Sequence, residues 1–132
     1  MWEPISENEL LQLIDSAETE MKVKSEIERL WNRIKIKPQK WMLPPWSDEG
    51  EGFWIVAIIG QQCIWYNDIE EGFNISKYSN LGYVNNYYCN QDELFFCVRF
   101  FYQELIRDLT GIASEESIGF LRLGPSKPFD RG

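Results

Sequence analysis

The sequence predicts an α+β domain: an N-terminal helical segment, an antiparallel meander of three or four strands, and a C-terminal helix packed on the sheet. Three observations carry that expectation. Apolar residues recur at helical spacing from Leu10 to Ile34 and again after Leu94. The chain between is β-branched, aromatic and punctuated by glycine. No internal repeat or low-complexity run divides it.

Taken in order, Ser6-Glu-Asn-Glu9 reads as a capping box, with Ile5 and Leu10 as its hydrophobic staple. Leu10, Leu13, Ile14, Ala17 and Met21 then form one apolar stripe. Ser25-Glu-Ile-Glu28 repeats the box ahead of Ile27, Leu30, Trp31 and Ile34, which predicts a second helix after a break at Lys22 to Lys24. The stretch Lys37 to Trp46 holds three prolines and reads as an extended connector, with Trp41, Met42, Leu43 and Trp46 folded over the body.

The chain is organised around a buried hairpin. Phe53 to Ile59 is too short and too β-branched for a helix, and Ile64, Trp65 and Tyr66 follow a Gly-Gln-Gln break. A two-residue loop at Gly60 and Gln61, with glycine at the positive φ of a type II′ turn, sets Ile59 opposite Gln62 and Phe53 opposite Asp68. Ile55, Ala57, Ile59, Ile64 and Tyr66 then share one face, and Trp54, Val56, Ile58, Cys63 and Trp65 the other. Both faces are apolar, so both need a cover, whether helix, partner chain or ligand.

After a turn at Ile69 to Gly72, Phe73 to Tyr78 reads as a third strand and Tyr83 to Tyr88 as a fourth. Asn90-Gln-Asp-Glu93 reads as an N-cap for a helix with the stripe Leu94, Val98, Phe101, Leu105 and Leu109, broadened by Phe95 and Tyr102 and stopped at Gly111. Residues 1–110 are thus one domain, and 111–132 a tail expected to be partly ordered.

Composition narrows the function. A chain of 132 residues builds a core without metal or disulfide staples, and Cys63, Cys89 and Cys97 have neither even number nor C-x-x-C spacing. With no basic and apolar leader at its start, the expected location is the cytoplasm. A net charge of −8 argues against nucleic acid or an anionic membrane as partner. Residues 41–98 carry eight acids against Lys77 alone, so −7 of the charge sits in the middle. Histidine is absent, and no phosphate-loop, dinucleotide or EF-hand spacing occurs, so no cofactor or metal is expected.

Two features remain as candidate sites. The hairpin register places the loop of Asp48, Glu49 and Glu51 at the same end as Asp68, Glu70 and Glu71, and such a cluster meets a basic partner, holds a divalent cation, serves as an acid/base pair, or is simply a solvated edge. Trp54 and Trp65, on one face with Asn67 beyond, read as an aromatic platform or as plain core. The leading expectation is a non-enzymatic acidic module that binds a basic protein through Glu49, Glu51, Trp54, Trp65, Asn67, Asp68, Glu70 and Glu71. The alternative is small-ligand binding or hydrolysis at the tryptophan face, with Glu70 or Glu71 as acid/base and Ca²⁺ or Mg²⁺ as helper. A homodimer that covers its own second apolar face is a third reading.

Phe53-Trp-Ile-Val-Ala, Trp65-Tyr-Asn-Asp-Ile-Glu-Glu-Gly-Phe-Asn74 and Tyr88-Cys-Asn-Gln-Asp-Glu-Leu94 together resemble a family of small bacterial domains, a likeness that implies no activity. More loosely, the helix, meander, capped helix and acidic balance are similar in architecture to the SUKH superfamily of bacterial immunity proteins. That likeness transfers no site residue and implies protein neutralisation as the role.

Overall fold

In the computed structural model, which describes residues 3–111, the order is α1 (Glu7–Met21), α2 (Ser25–Ile34), β1 (Lys35–Trp41), β2 (Phe53–Ile59), β3 (Gln62–Asn67), β4 (Gly72–Lys77) and α3 (Leu94–Gly111). This is an α+β fold, a four-stranded antiparallel meander in the order β1-β2-β3-β4 with the helices on one face. The tail at 112–132 lies outside the described residues.

α1 opens on the expected capping box: Glu9 N–H donates to Ser6 Oγ at 3.1 Å, and Ser6 N–H donates to Glu9 Oε1 at 3.2 Å. Leu10, Ile14, Ala17 and Met21 are buried, whereas Leu13 stays on the exposed flank of the stripe. The chain breaks at Lys22 to Lys24 as the repeated box predicts, but the second box does not form. α2 begins at Ser25 itself, with Lys24 at the N-cap and no side-chain bond there, so the serine sits one residue too far along to cap. α3 buries Leu94, Cys97, Val98 and Phe101 against α1, α2 and the sheet. Its first carbonyl is that of Glu93, which accepts from Phe96 and Cys97, and Asn90 is engaged elsewhere, so the expected cap at Asn90 is also not formed.

Two strand expectations change. The proline-bearing connector contributes β1, an edge strand that tolerates Pro38 because its pairing with β2 is irregular between Lys35 and Gln39. Tyr83 to Tyr88 is not a strand. It belongs to a long irregular segment that crosses the sheet face opposite the helices.

The hairpin turn is as expected: Gly60 has φ 58° and Ile59 faces Gln62. The register then shifts, because Ile55 faces Trp65 while Ala57 faces Ile64, leaving Val56 as the extra residue of a β-bulge. Phe53 is consequently aligned with Asn67 rather than Asp68. Val56 and Ala57 both pack towards the helices, with Ile64, Tyr66 and Phe73. Ile55, Phe53, Cys63 and Trp65 form the opposite core with Trp41, Leu43 and Val84. Ala57, Ile59, Ile64 and Tyr66 keep their expected face, as do Ile58, Cys63 and Trp65; Trp54, Ile55 and Val56 change sides.

The second core is covered by the chain itself, chiefly by residues 42–51 and 78–93, so it needs no second copy as a lid. Buried polar side chains of the sheet hold that cover down. Asn67 Nδ2 donates to Tyr88 C=O at 2.9 Å, Ser76 Oγ to Asn86 C=O at 2.8 Å, and Asn74 Nδ2 to Asn90 C=O at 3.0 Å while its Oδ1 accepts from Asn90 N–H at 2.8 Å. They replace the ladder that a fourth sequential strand would have provided, which satisfies loop backbone that is otherwise costly to bury. Among the described residues no helix is long and apolar enough to cross a membrane.

Candidate functional site

The bulge decides what stands at the open end of the hairpin. By turning Trp54 towards the helices, it brings the indole Nε1 to the Ile5 carbonyl at 3.2 Å. The Ile5 N–H in turn donates to Asp68 Oδ2 at 2.8 Å. The residues just ahead of α1 are therefore pinned to the β2 and β3 ends by both main-chain groups of one isoleucine. That pinning forms an open cleft of about 550 Å³, lined by Glu3, Ile5, Glu9, Tyr66, Asp68 and Glu71 among others.

Its electrostatics are unbalanced. Asp68 Oδ1 is buried and has no hydrogen-bond partner among the described residues. Burial raises the Asp68 carboxyl above its ordinary range, against the Ile5 N–H and the Lys40 ammonium, which hold it down. The Tyr66 phenol is pushed up by burial and then by the negative charges of Glu71, Asp68 and Glu9, so it remains a neutral donor. Lys40 is the cation at this end: its ammonium lies 5.2 Å from the Trp54 ring centroid and donates to Gly50 C=O at 2.8 Å.

Of the eight residues expected at a partner surface, the cleft unites Asp68 and Glu71, and Trp54 ties down its rim. Glu49 and Glu51 are exposed on the neighbouring turn, which Ser47 organises by accepting Leu43 N–H at 2.7 Å. Glu70 stands outside the cleft, its carbonyl accepting from Gln91 Nε2 at 2.9 Å. Trp65 and Asn67 are not at a surface. Both are fully buried, Trp65 donates to Ser76, and Asn67 Oδ1 accepts from the Ile69 and Glu70 N–H groups at 3.0 and 3.2 Å to shape the β3–β4 turn. Trp54 and Trp65 lie on opposite sides of the sheet, so the aromatic platform is corrected to two separate structural roles. The cause is the extra residue at Val56.

Glu3, Glu9 and Tyr66 line the cleft without any signal in the sequence that marks them for it. Glu9 belongs to the capping box, and nothing local connects Ile5 with Asp68, which are 63 residues apart. Cys63 and Cys97 are buried thiols pushed up to about 12, chiefly by burial, and are inert as nucleophiles. Among the described residues no group of three or more His, Cys, Asp or Glu is arranged to hold a metal ion. No protein-family model, curated protein or solved structure matches this chain.

Proposed function

We propose that this chain is a non-enzymatic, acidic interaction module, an immunity-like inhibitor that takes a lysine or arginine side chain of a basic protein into the cleft between the start of α1 and the β3–β4 turn. The observation that carries this reading is the cluster of Asp68, Glu3, Glu9 and Glu71 in one cleft, where Asp68 Oδ1 is a buried acceptor with no partner among the described residues. An incoming guanidinium or ammonium brings the counter-charge that favours the ionised form of Asp68. Tyr66, kept protonated, offers a second contact. Glu49, Glu51 and Glu70 form an outer ring whose field steers the partner without seating it. The three free cysteines suit a reducing compartment, and we place the protein in the cytoplasm on that ground.

Two variants separate seating from steering. Lysate of the source organism is passed over immobilised protein and eluted with salt, and the retained basic protein is then measured by stopped flow. Asp68→Asn with Glu71→Gln is expected to raise the dissociation rate at least about tenfold. Glu49→Gln, Glu51→Gln and Glu70→Gln together are expected to slow association mainly at low salt. Unchanged dissociation from the folded inner variant would overturn the reading.

A further inference from the structure

β4 is an edge strand whose outer side is closed at only two points by main-chain bonds among the described residues. Phe73 N–H donates to Asp92 C=O at 2.8 Å, and Asn85 N–H donates to Lys77 C=O at 3.0 Å. In an antiparallel ladder the main-chain groups of alternate residues face the neighbouring strand and the open edge. Tyr78 N–H donates to Gln61 C=O, so Ser76, Asn74 and Gly72 address β3 while Lys77, Ile75 and Phe73 face outwards. Ile75 therefore presents both its N–H and its C=O to the open edge, and no main-chain group among the described residues meets them. The reason is local. Between the two closures, Asn86 to Asn90 leave the edge for the sheet face, where Ser76, Asn67 and Asn74 hold them.

What remains is a groove of about 570 Å³, with Phe96, Cys97 and Phe100 of α3 on one side and Asn86, Tyr88 and Asn90 on the other. Phe96 and Phe100 are each 43% exposed and Tyr88 46%, a cluster of rings left open to water at a site that also has unused backbone donors and acceptors. Lys77 and Asp92 also line it, next to the Asn85 and Phe73 closures respectively, and neither makes a salt bridge among the described residues.

We infer that this groove binds a free tripeptide in extended conformation, added to the sheet beside Ile75. The gap from Phe73 to Lys77 is about 13 Å at roughly 3.3 Å per residue, room for about three residues and no more. The charges orient it: an α-ammonium at Asp92 and an α-carboxylate at Lys77 make the peptide run parallel to β4. In that register the carbonyl of its first residue accepts from Ile75 N–H, and the N–H of its third donates to Ile75 C=O. Opposed residues share a face, and Ile75 packs towards the helices, so the central side chain meets Phe96 and Phe100 and is apolar. A second copy cannot substitute, since the six residues of its own β4 would collide with both closures.

The test uses Ala-Leu-Ala with free ends, titrated to millimolar concentration against the full chain and followed by the amide resonance of Ile75. A saturable shift of that resonance is expected. Capping both ends of the peptide, or replacing its third residue with proline to remove the donor, is expected to weaken binding by about tenfold or more. Lys77→Glu, at an exposed position, is expected to do the same, and Asp68→Asn to change nothing, which keeps this site distinct from the acidic cleft. The inference is overturned if the Ile75 amide does not shift, or if the end-capped or proline peptide binds as well as Ala-Leu-Ala.

Discussion

The indole N–H of Trp65 donates to the Ser76 hydroxyl at 2.9 Å, joining β3 to β4 beneath the loop that covers the second core. The same hydroxyl donates to Asn86 C=O at 2.8 Å, so one serine satisfies a buried donor and a loop acceptor at once. Ser76→Ala leaves both without a partner and is expected to lower stability by about 2–3 kcal/mol. Denaturant unfolding of Ser76→Ala, Trp65→Phe and the double variant checks this. The two losses should be clearly sub-additive; additive losses would mean that the bond contributes nothing.

Gly72 is buried where β4 passes under the loop. A Cβ there would lie 2.3 Å from Gln91 Cα and 2.5 Å from the Asn90 carbonyl oxygen, both main-chain atoms with no flexible end to swing aside. Gly72→Ala is expected to cost about 2 kcal/mol. It should also loosen the Asn74–Asn90 clamp, read as faster hydrogen exchange at the Asn90 amide; unchanged exchange would show that the loop accommodates the methyl without moving off the sheet.

The two serine boxes look alike in sequence and differ in structure. Ser6→Ala removes a hydroxyl that caps α1 and should cost about 1 kcal/mol, whereas Ser25→Ala changes the first residue of a helix it does not cap and should stay within about 0.5 kcal/mol. Equal losses from the two would contradict the assigned start of α2.

Asp68 sets a pH dependence whose sign follows from its raised carboxyl. A folded-state pKa above the ordinary 3.8 means that the folded protein holds the proton more tightly than the unfolded chain. Below 3.8 both states are protonated and no stability is lost; as pH rises through the raised value, ionisation destabilises the fold, fully so above it. Asp68→Asn should therefore raise the unfolding midpoint at neutral pH and leave it nearly unchanged in acid. A gain of the same size at both ends would trace the effect to something other than charge.

Much of this architecture was legible because its signals are local. Leu10, Ile14, Ala17 and Met21 repeat at helical spacing on one buried face, and Gly60 fixes a turn within two residues. The bulge was not legible: Ile55, Val56 and Ala57 are all apolar, and with both faces of the sheet buried no alternation marks the residue that is counted twice. Nor was the loss of the expected strand at Tyr83 to Tyr88, since its carbonyls are bonded by Asn67 and Ser76 from distant strands. In the cleft, Asp68 and Glu71 were legible as neighbours in one turn and Tyr66 stands two residues ahead of Asp68 on β3, while Glu3 and Glu9 join them only through the folding back of the N-terminal segment.

The extra residue at Val56 divides the hairpin into two lengths that run out of phase. On the turn side of it, odd-numbered β2 residues look towards the helices; on the open side, even-numbered ones do. Deleting Val56 would restore regular alternation through β2 and leave Trp54 opposite Tyr66, still on the helix side and facing Ile5. One backbone insertion thus lets two lengths of opposite residue parity, Ala57 with Ile59 and Trp54 beyond them, look to the same side of one sheet.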